Sequence, residues 1–206
     1  MRIGNKPNLN YYTDVSRITD PSSPAVLVDK FRQLDSSYIP EDLEQVALEF
    51  NPKGLMLRRE ARLAFEEMAG DARQKGIYLN IVSAFRSYDY QTEVYYKNIT
   101  PDVPIEEYQA VRDRVSARPG HSEHQTGLAA DINDLEQSFE DTPEFRWLSG
   151  NAHWYGFILR YPKGMEKITG YDYEPWHYRY LGRGLAKEVY LSRLTYDEFY
   201  NKYLKA

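Results

Sequence analysis

Cysteine is absent from all 206 residues, which removes disulfides, thiolate metal sites and cysteine nucleophiles together. The compartment stays open, because a disulfide-free protein can work on either side of a membrane. Long apolar runs are missing too. Nothing approaches the roughly 20 residues needed to span a bilayer, and the opening MRIGNKPNLNYYTDVSRITDPSSPA has no signal-peptide core. The chain therefore reads as cytosolic, or as a sequence from which an export segment has been left out. Basic charge is outnumbered, with 26 Lys and Arg against 31 Asp and Glu for a formal net charge of -5. A duplex nucleic-acid partner needs the reverse, a gathered basic surface that neutralises phosphates.

What is present suits one well-buried core: 42% of residues are hydrophobic and 28% charged, and the length favours one domain over two. The 19 tyrosines raise the idea of an aromatic platform for a sugar or peptide. Core and rim tyrosines with satisfied hydroxyls are the commoner explanation. VLVD (26–29) reads as a short strand. From Leu57 the apolar positions Leu57, Ala61, Ala64, Phe65, Met68 and Ala72 recur at helical spacing, with Gly76 as a stop. IYLNIVSAF (77–85) follows as a buried strand. Helices are expected around Tyr90 to Tyr96, after Pro104, from Thr142 and Pro143 through Trp147, and from Thr195, whose partner Glu198 has capping-box spacing. FILRY (157–161) and WHYRYL (176–181) read as strands. The total is α+β.

Only four histidines occur, and two of them, His121 and His124, stand close together in ARPGHSEHQTGLAADIND (117–134), with Asp131 shortly beyond. A strand over LAADIND turns Ala129, Asp131 and Asn133 to one face. His177 has Glu174 just upstream in EPWHYR (174–179). Two imidazoles and a carboxylate without thiolate suit catalytic zinc, where three protein groups hold the ion and water takes the fourth place. Glu174 then reads as a base beside a ligand. Each residue also has a plainer reading. A single histidine is more often a hydrogen-bonded structural group, which is the reading for His153, and His121 orients a neighbour, caps the loop or, as the lesser alternative, is itself a ligand. Gly120 and Gly127 bracket His124 and point to special backbone geometry. Spacing alone leaves the metal and structural readings side by side.

Two motifs carry a resemblance. S-x-H-x-x-G-x-A-x-D, present as SEHQTGLAAD (122–131), and E-x-W-H, present as EPWH (174–177), resemble the VanY/LdcB-type D-alanyl carboxypeptidases, zinc peptidases of the Hedgehog/D-Ala-D-Ala peptidase fold. The likeness extends from AVLVDK (25–30) through SAFRSYDYQ (83–91) and NAHWYGFILRYPKG (151–164) to EPWHYRYLG (174–182).

The resemblance implies a small antiparallel sheet flanked by helices, with a zinc site on the sheet, in a domain over 25–206 behind a lead-in of 1–24. It implies one zinc held by His124, Asp131 and His177, with Glu174 as catalytic base. Arg86 and Gln91 are implied to hold the substrate end or polarise its scissile carbonyl, and Ser122, Tyr161 and Trp176 to line the pocket for a terminal D-alanine. The implied substrate is a peptidoglycan stem tetra- or pentapeptide ending in D-alanine, cleaved with L,D- or D,D-specificity. Such work implies the cell envelope, with a signal or anchor absent from this sequence. A guanidinium suits a free carboxylate through charge and a planar fork of donors; Arg86 leads for that role and Arg118 follows. The rivals are a same-fold endopeptidase or dipeptidase, and a zinc-stabilised wall-peptide binding module that does not cleave. Intact Glu174 argues against the last, since a pure binder needs no base.

Overall fold

The computed structural model describes residues 11–205. The chain enters through a short parallel pair, β1 (Ser16–Arg17) with β2 (Arg32–Gln33), and an antiparallel pair, β3 (Leu43–Gln45) with β4 (Met56–Arg58). Leu57 sits in β4 opposite Glu44, so α1 (Arg59–Arg73) opens two residues after the predicted start. Its apolar stripe is as read: Ala61, Ala64, Phe65, Met68 and Ala72 are all buried. Each large side chain removed from water there stabilises the fold by about 1.5–3 kcal/mol.

The principal sheet comprises β5 (Ile81–Ser83), β6 (Ala129–Ile132), β7 (Phe157–Leu159) and β8 (His177–Tyr180), antiparallel throughout in the order β5-β6-β8-β7. Side chains alternate along a strand, so Ala130, Ile132, Phe157, Tyr178 and Tyr180 join Phe65 and Met68 in one core. Asp131, His177 and Arg179 consequently face the other way. That second face is closed partly by Ile158, Leu27, Ala186, Val189, Tyr196 and Phe199.

Helices α2 (Tyr88–Tyr96) and α3 (Ile105–Arg112) follow β5. Pro104 is the N-cap of α3 and not a first-turn residue. In α4 (Pro143–Asn151) the Thr142 side chain accepts from Phe145 N with Pro143 in the first turn, as its sequence predicts. A short α5 (Glu166–Thr169), α6 (Arg183–Ser192) and α7 (Tyr196–Phe199) complete the fold. The Thr195–Glu198 capping box forms in both directions. No helix among the described residues is long and apolar enough to cross a membrane.

Two strand predictions need correction. Residues 26–29 do not form a strand; Asp29 makes only an isolated bridge to Arg32. Side chains take the place of a ladder there: Arg179 Nη2 donates to Pro24 O and Val26 O, each at 2.9 Å, and Tyr196 OH donates to Ala25 O at 2.6 Å. A buried backbone needs partners, and these supply them without a second strand. The run 77–85 contributes only three residues to the sheet. Asn133 has also left the strand, at φ 63, and its side chain ties the end of β6 to the preceding segment by accepting from Asn80 N at 2.6 Å. It therefore does not share the face of Asp131. Residues 1–10 of the expected lead-in lie outside the described residues.

Candidate active site

The β6–β8 register sets Asp131 directly opposite His177, joining residues far apart in sequence. Chain leaving β5 provides the third anchor, where Ala84 O meets His124 Nδ1 at 2.7 Å. A carbonyl can only accept, so Nδ1 carries the proton and Nε2 is left with a free lone pair. His124 rides a single 3-10 turn, Glu123–Thr126, capped by Ser122, whose side chain accepts from His124 N. Gly127 ends that turn at φ +67, where a Cβ would lie 2.9 Å from Leu43 Cδ2 and 3.0 Å from Arg58 Cγ. Only glycine meets both demands.

Donor atoms of His124, Asp131 and His177 lie within 4.8 Å of one another, and all three residues are buried. His177 Nδ1 is 3.1 Å from Asp131 Oδ1, and His124 Nε2 is 3.3 Å from Asp131 Oδ2. Yet His124 Nε2 and Asp131 Oδ1 are among the buried atoms of the described residues that have no hydrogen-bond partner. Unsatisfied buried polar atoms are costly. Ligand atoms about 2.1 Å from a tetrahedral zinc sit about 3.4 Å apart, close to the spacings found, so the donor set fits zinc.

Electrostatics agree with that fit. Burial, with Arg86 nearby, lowers the His124 pKa to about 4, keeping the imidazole in the neutral form that ligates. Burial would raise Asp131, but His124 and His177 hold it well below the usual carboxylate range. His177 goes to about 9 against the effect of burial, because the carboxylates of Asp131 and Glu123 lie 3.1 and 3.5 Å from its two ring nitrogens, so metal entry must release a proton.

Glu174 precedes β8 in a turn where His177 N donates to Glu174 O at 3.2 Å. Its Oε2 lies 3.6 Å from His177 Nδ1. Burial pushes its pKa up to about 7, with Asp131 adding to the rise while His177 opposes it. A carboxyl poised near neutrality is suited to taking and returning a proton. Arg86 Nη1 donates to Gln91 Oε1 at 2.8 Å, Gln91 Nε2 is held by Ala117 O at 2.7 Å, and Arg86 Nη2 lies 3.6 Å from Asp131 Oδ2. Nine candidates converge: Arg86, Gln91, Ser122, His124, Asp131, Tyr161, Glu174, Trp176 and His177 all line one cavity of about 340 Å³.

Other candidates stand apart. His121 Nδ1 meets Asp29 O at 2.8 Å, and its ring packs edge-on against Tyr12. Arg118 is committed to Asp113 through Nε at 3.1 Å and Nη2 at 2.9 Å, with its guanidinium 4.1 Å from the Tyr12 ring. Both line a separate depression. His153 stacks on Tyr190 at 3.7 Å, in keeping with its structural reading.

The sequence reading passed over Glu123. It lies fully buried behind His177, with Oε1 accepting from Arg160 Nε at 2.8 Å and Arg179 Nη1 at 3.0 Å. Arg160 also grips Asp197 through two bonds, at 2.5 and 3.1 Å. The available signal was the arginines inside FILRY and WHYRYL: a charge in a strand buried on both faces needs a buried partner.

A cavity on the open side of three thiolate-free ligands is the layout of catalytic and not structural zinc, and with this fold it defines a zinc metallopeptidase. The chain belongs to the VanY D-alanyl-D-alanine carboxypeptidase family, whose profile matches residues 54–183. It is 37% identical over 211 residues to YodJ of Bacillus subtilis, whose carboxypeptidase designation is itself provisional, covering 95% of this chain and 76% of that one. The solved structure of the LdcB LD-carboxypeptidase, described for its recognition of peptidoglycan, superposes with a TM-score of 0.82 at 37% identity, covering 92% of this chain and 91% of LdcB. A variant of the vancomycin-resistance D,D-pentapeptidase VanY in complex with Zn(II) gives 0.72 at 32% identity over 85% of this chain and 98% of that one.

Proposed function

We propose that this zinc-dependent carboxypeptidase removes terminal D-alanine from peptidoglycan stem peptides at the cell envelope, with residues 25–206 acting as one catalytic unit. The observation that carries the reading is the convergence of donor atoms from His124, Asp131 and His177 within 4.8 Å, with the half-buried Glu174 carboxylate 3.6 Å from His177 Nδ1. Zinc, when bound, supplies a Lewis acid and a water of lowered pKa. Glu174 accepts a proton from the attacking water and returns it to the leaving amine of the D-alanine. Its elevated pKa makes it a stronger base for the accepting step. Arg86, held by Gln91 at 2.8 Å, presents its guanidinium to the substrate's free carboxylate. Tyr161 and Trp176 wall the same cavity and exclude water around the D-alanine methyl, and the buried Ser122, which also lines it, offers a polar contact.

Relatives fall on both sides of the specificity question, since LdcB is an LD-carboxypeptidase and VanY a D,D-pentapeptidase. Defined tri-, tetra- and pentapeptide muropeptides, with products followed by mass spectrometry, decide it. Loss of one alanine from the tetrapeptide alone assigns L,D-activity, and loss from the pentapeptide assigns D,D-activity. Cleavage within the stem assigns the endopeptidase rival, and hydrolysis of free D-alanyl-D-alanine with every stem peptide left intact assigns the dipeptidase. Binding of every peptide with no cleavage would leave a binding module.

A further inference from the structure

Beyond the three ligands, the geometry points to Glu123 as a positioning residue for the metal centre: its Oε2 accepts the Nε2–H of His177 and so commits that imidazole to offer Nδ1 to the ion. This rests on the zinc reading above and extends it to a residue outside the cavity's reacting groups. Glu123 Oε2 and His177 Nε2 are both buried and both without a hydrogen-bond partner among the described residues, yet they face each other at 3.5 Å. Two unsatisfied buried atoms of complementary type at that separation are one small ring rotation from a bond, and leaving them unmade is costly. On the other side of the ring, Nδ1 is the nitrogen beside Asp131 Oδ1, at 3.1 Å. The two histidines are therefore fixed in opposite senses. His124 is locked through Nδ1 to a backbone carbonyl and offers Nε2, while His177 is locked through Nε2 to a carboxylate and offers Nδ1.

Glu123 is itself immobilised. Its other oxygen accepts from Arg160 and Arg179, and both guanidiniums are fully buried. These two cations hold the Glu123 carboxylate at 2.8 and 3.0 Å, and Asp197 balances Arg160. An anion behind a ligating imidazole fixes its tautomer and raises its basicity, and loss of such a partner typically lowers metal affinity about 10–100-fold. A purely structural salt cluster joining the sheet to α7 makes no demand on which nitrogen of His177 carries the proton.

Nitrogen-15 NMR of histidine-labelled, zinc-loaded wild-type protein separates the two roles. The expected result is a His177 signal with Nε2 protonated and Nδ1 metallated; protonation at Nδ1 with zinc on Nε2 overturns the proposal. The variant arm is Glu123→Gln, whose amide cannot satisfy the arginines and His177 together. The folded variant is expected to bind zinc about 10–100-fold more weakly in chelator competition, and affinity within twofold of wild type overturns the proposal. Should Glu123→Gln fail to fold, the wild-type spectrum decides alone. A wild-type protein that takes up no zinc defeats the underlying zinc reading, whereas normal uptake with the wrong tautomer defeats only the role of Glu123.

Discussion

Replacing Glu174 with glutamine tests whether this carboxyl serves chemistry at the expense of stability. The change keeps the shape and removes the base, so turnover falls about 10²–10⁴-fold, equivalent to about 2.7–5.4 kcal/mol at about 1.36 kcal/mol per tenfold. One zinc per chain is retained, because Glu174 is not among the three converging ligands. In metal-free protein the same substitution stabilises. Burial raises the Glu174 pKa from 4.5 to about 7, and about 1.4 kcal/mol per pH unit makes that on the order of 3 kcal/mol. The folded state holds this proton more tightly than the unfolded chain. The group's contribution is therefore intact below pH 4.5 and is lost as pH rises through about 7. Glutamine stays neutral throughout. Urea unfolding in chelator should find Glu174→Gln more stable than wild type at pH 8 by up to about 3 kcal/mol, with the gap closing toward pH 4.5. Wild-type turnover in the variant, or a variant no more stable at pH 8, refutes the reasoning.

Removing either imidazole with His124→Ala or His177→Ala should abolish stoichiometric zinc in metal analysis, because two remaining ligands seldom hold the ion; full retention in both contradicts the assignment. For Arg86, amidating the substrate C-terminus should cost wild type at least about tenfold in kcat/KM but scarcely affect Arg86→Ala, since the charged pair is already gone. Additive losses would instead move Arg86 to the scissile carbonyl. Gly127→Ala should lower stability by about 1–3 kcal/mol in thermal unfolding, because its Cβ meets Leu43 and Arg58. Gly150→Ala, inside α4 with open space around it, should instead leave stability unchanged or raise it by up to about 1 kcal/mol.

Local chemistry makes several elements readable in the sequence alone. The stripe through Ala61, Phe65, Met68 and Ala72 specifies a helix because burial must recur every third or fourth residue, and Thr142 and Thr195 announce helix starts by offering acceptors to orphan N–H groups. Motifs named all three converging donors and Glu174. Their meeting was implied by the family resemblance alone and not by the spacing of the residues, because it depends on a strand register that places Asp131 opposite His177, a pairing across the sheet with no local sequence signature. Residues 26–29 misled for a related reason: Val26 and Val28 have strand propensity, but Arg179 and Tyr196 from distant elements claim the backbone carbonyls beside them. Glu123 escaped notice because it fills an unspecified position of its motif, between Ser122 and His124. Its significance needs Arg160, Arg179 and His177, contributed by β8 and the chain just beyond β7.

The most direct test of the whole account is a titration of metal-free protein with zinc while D-alanine release from its preferred stem peptide is recorded. Activity should rise in proportion to zinc and level off at one ion per chain for wild type, while Glu174→Gln takes up the same single ion with turnover about a hundredfold lower or less. Release that is independent of zinc, that levels off at another stoichiometry, or that rises equally in the variant would contradict a zinc centre of His124, Asp131 and His177 served by Glu174.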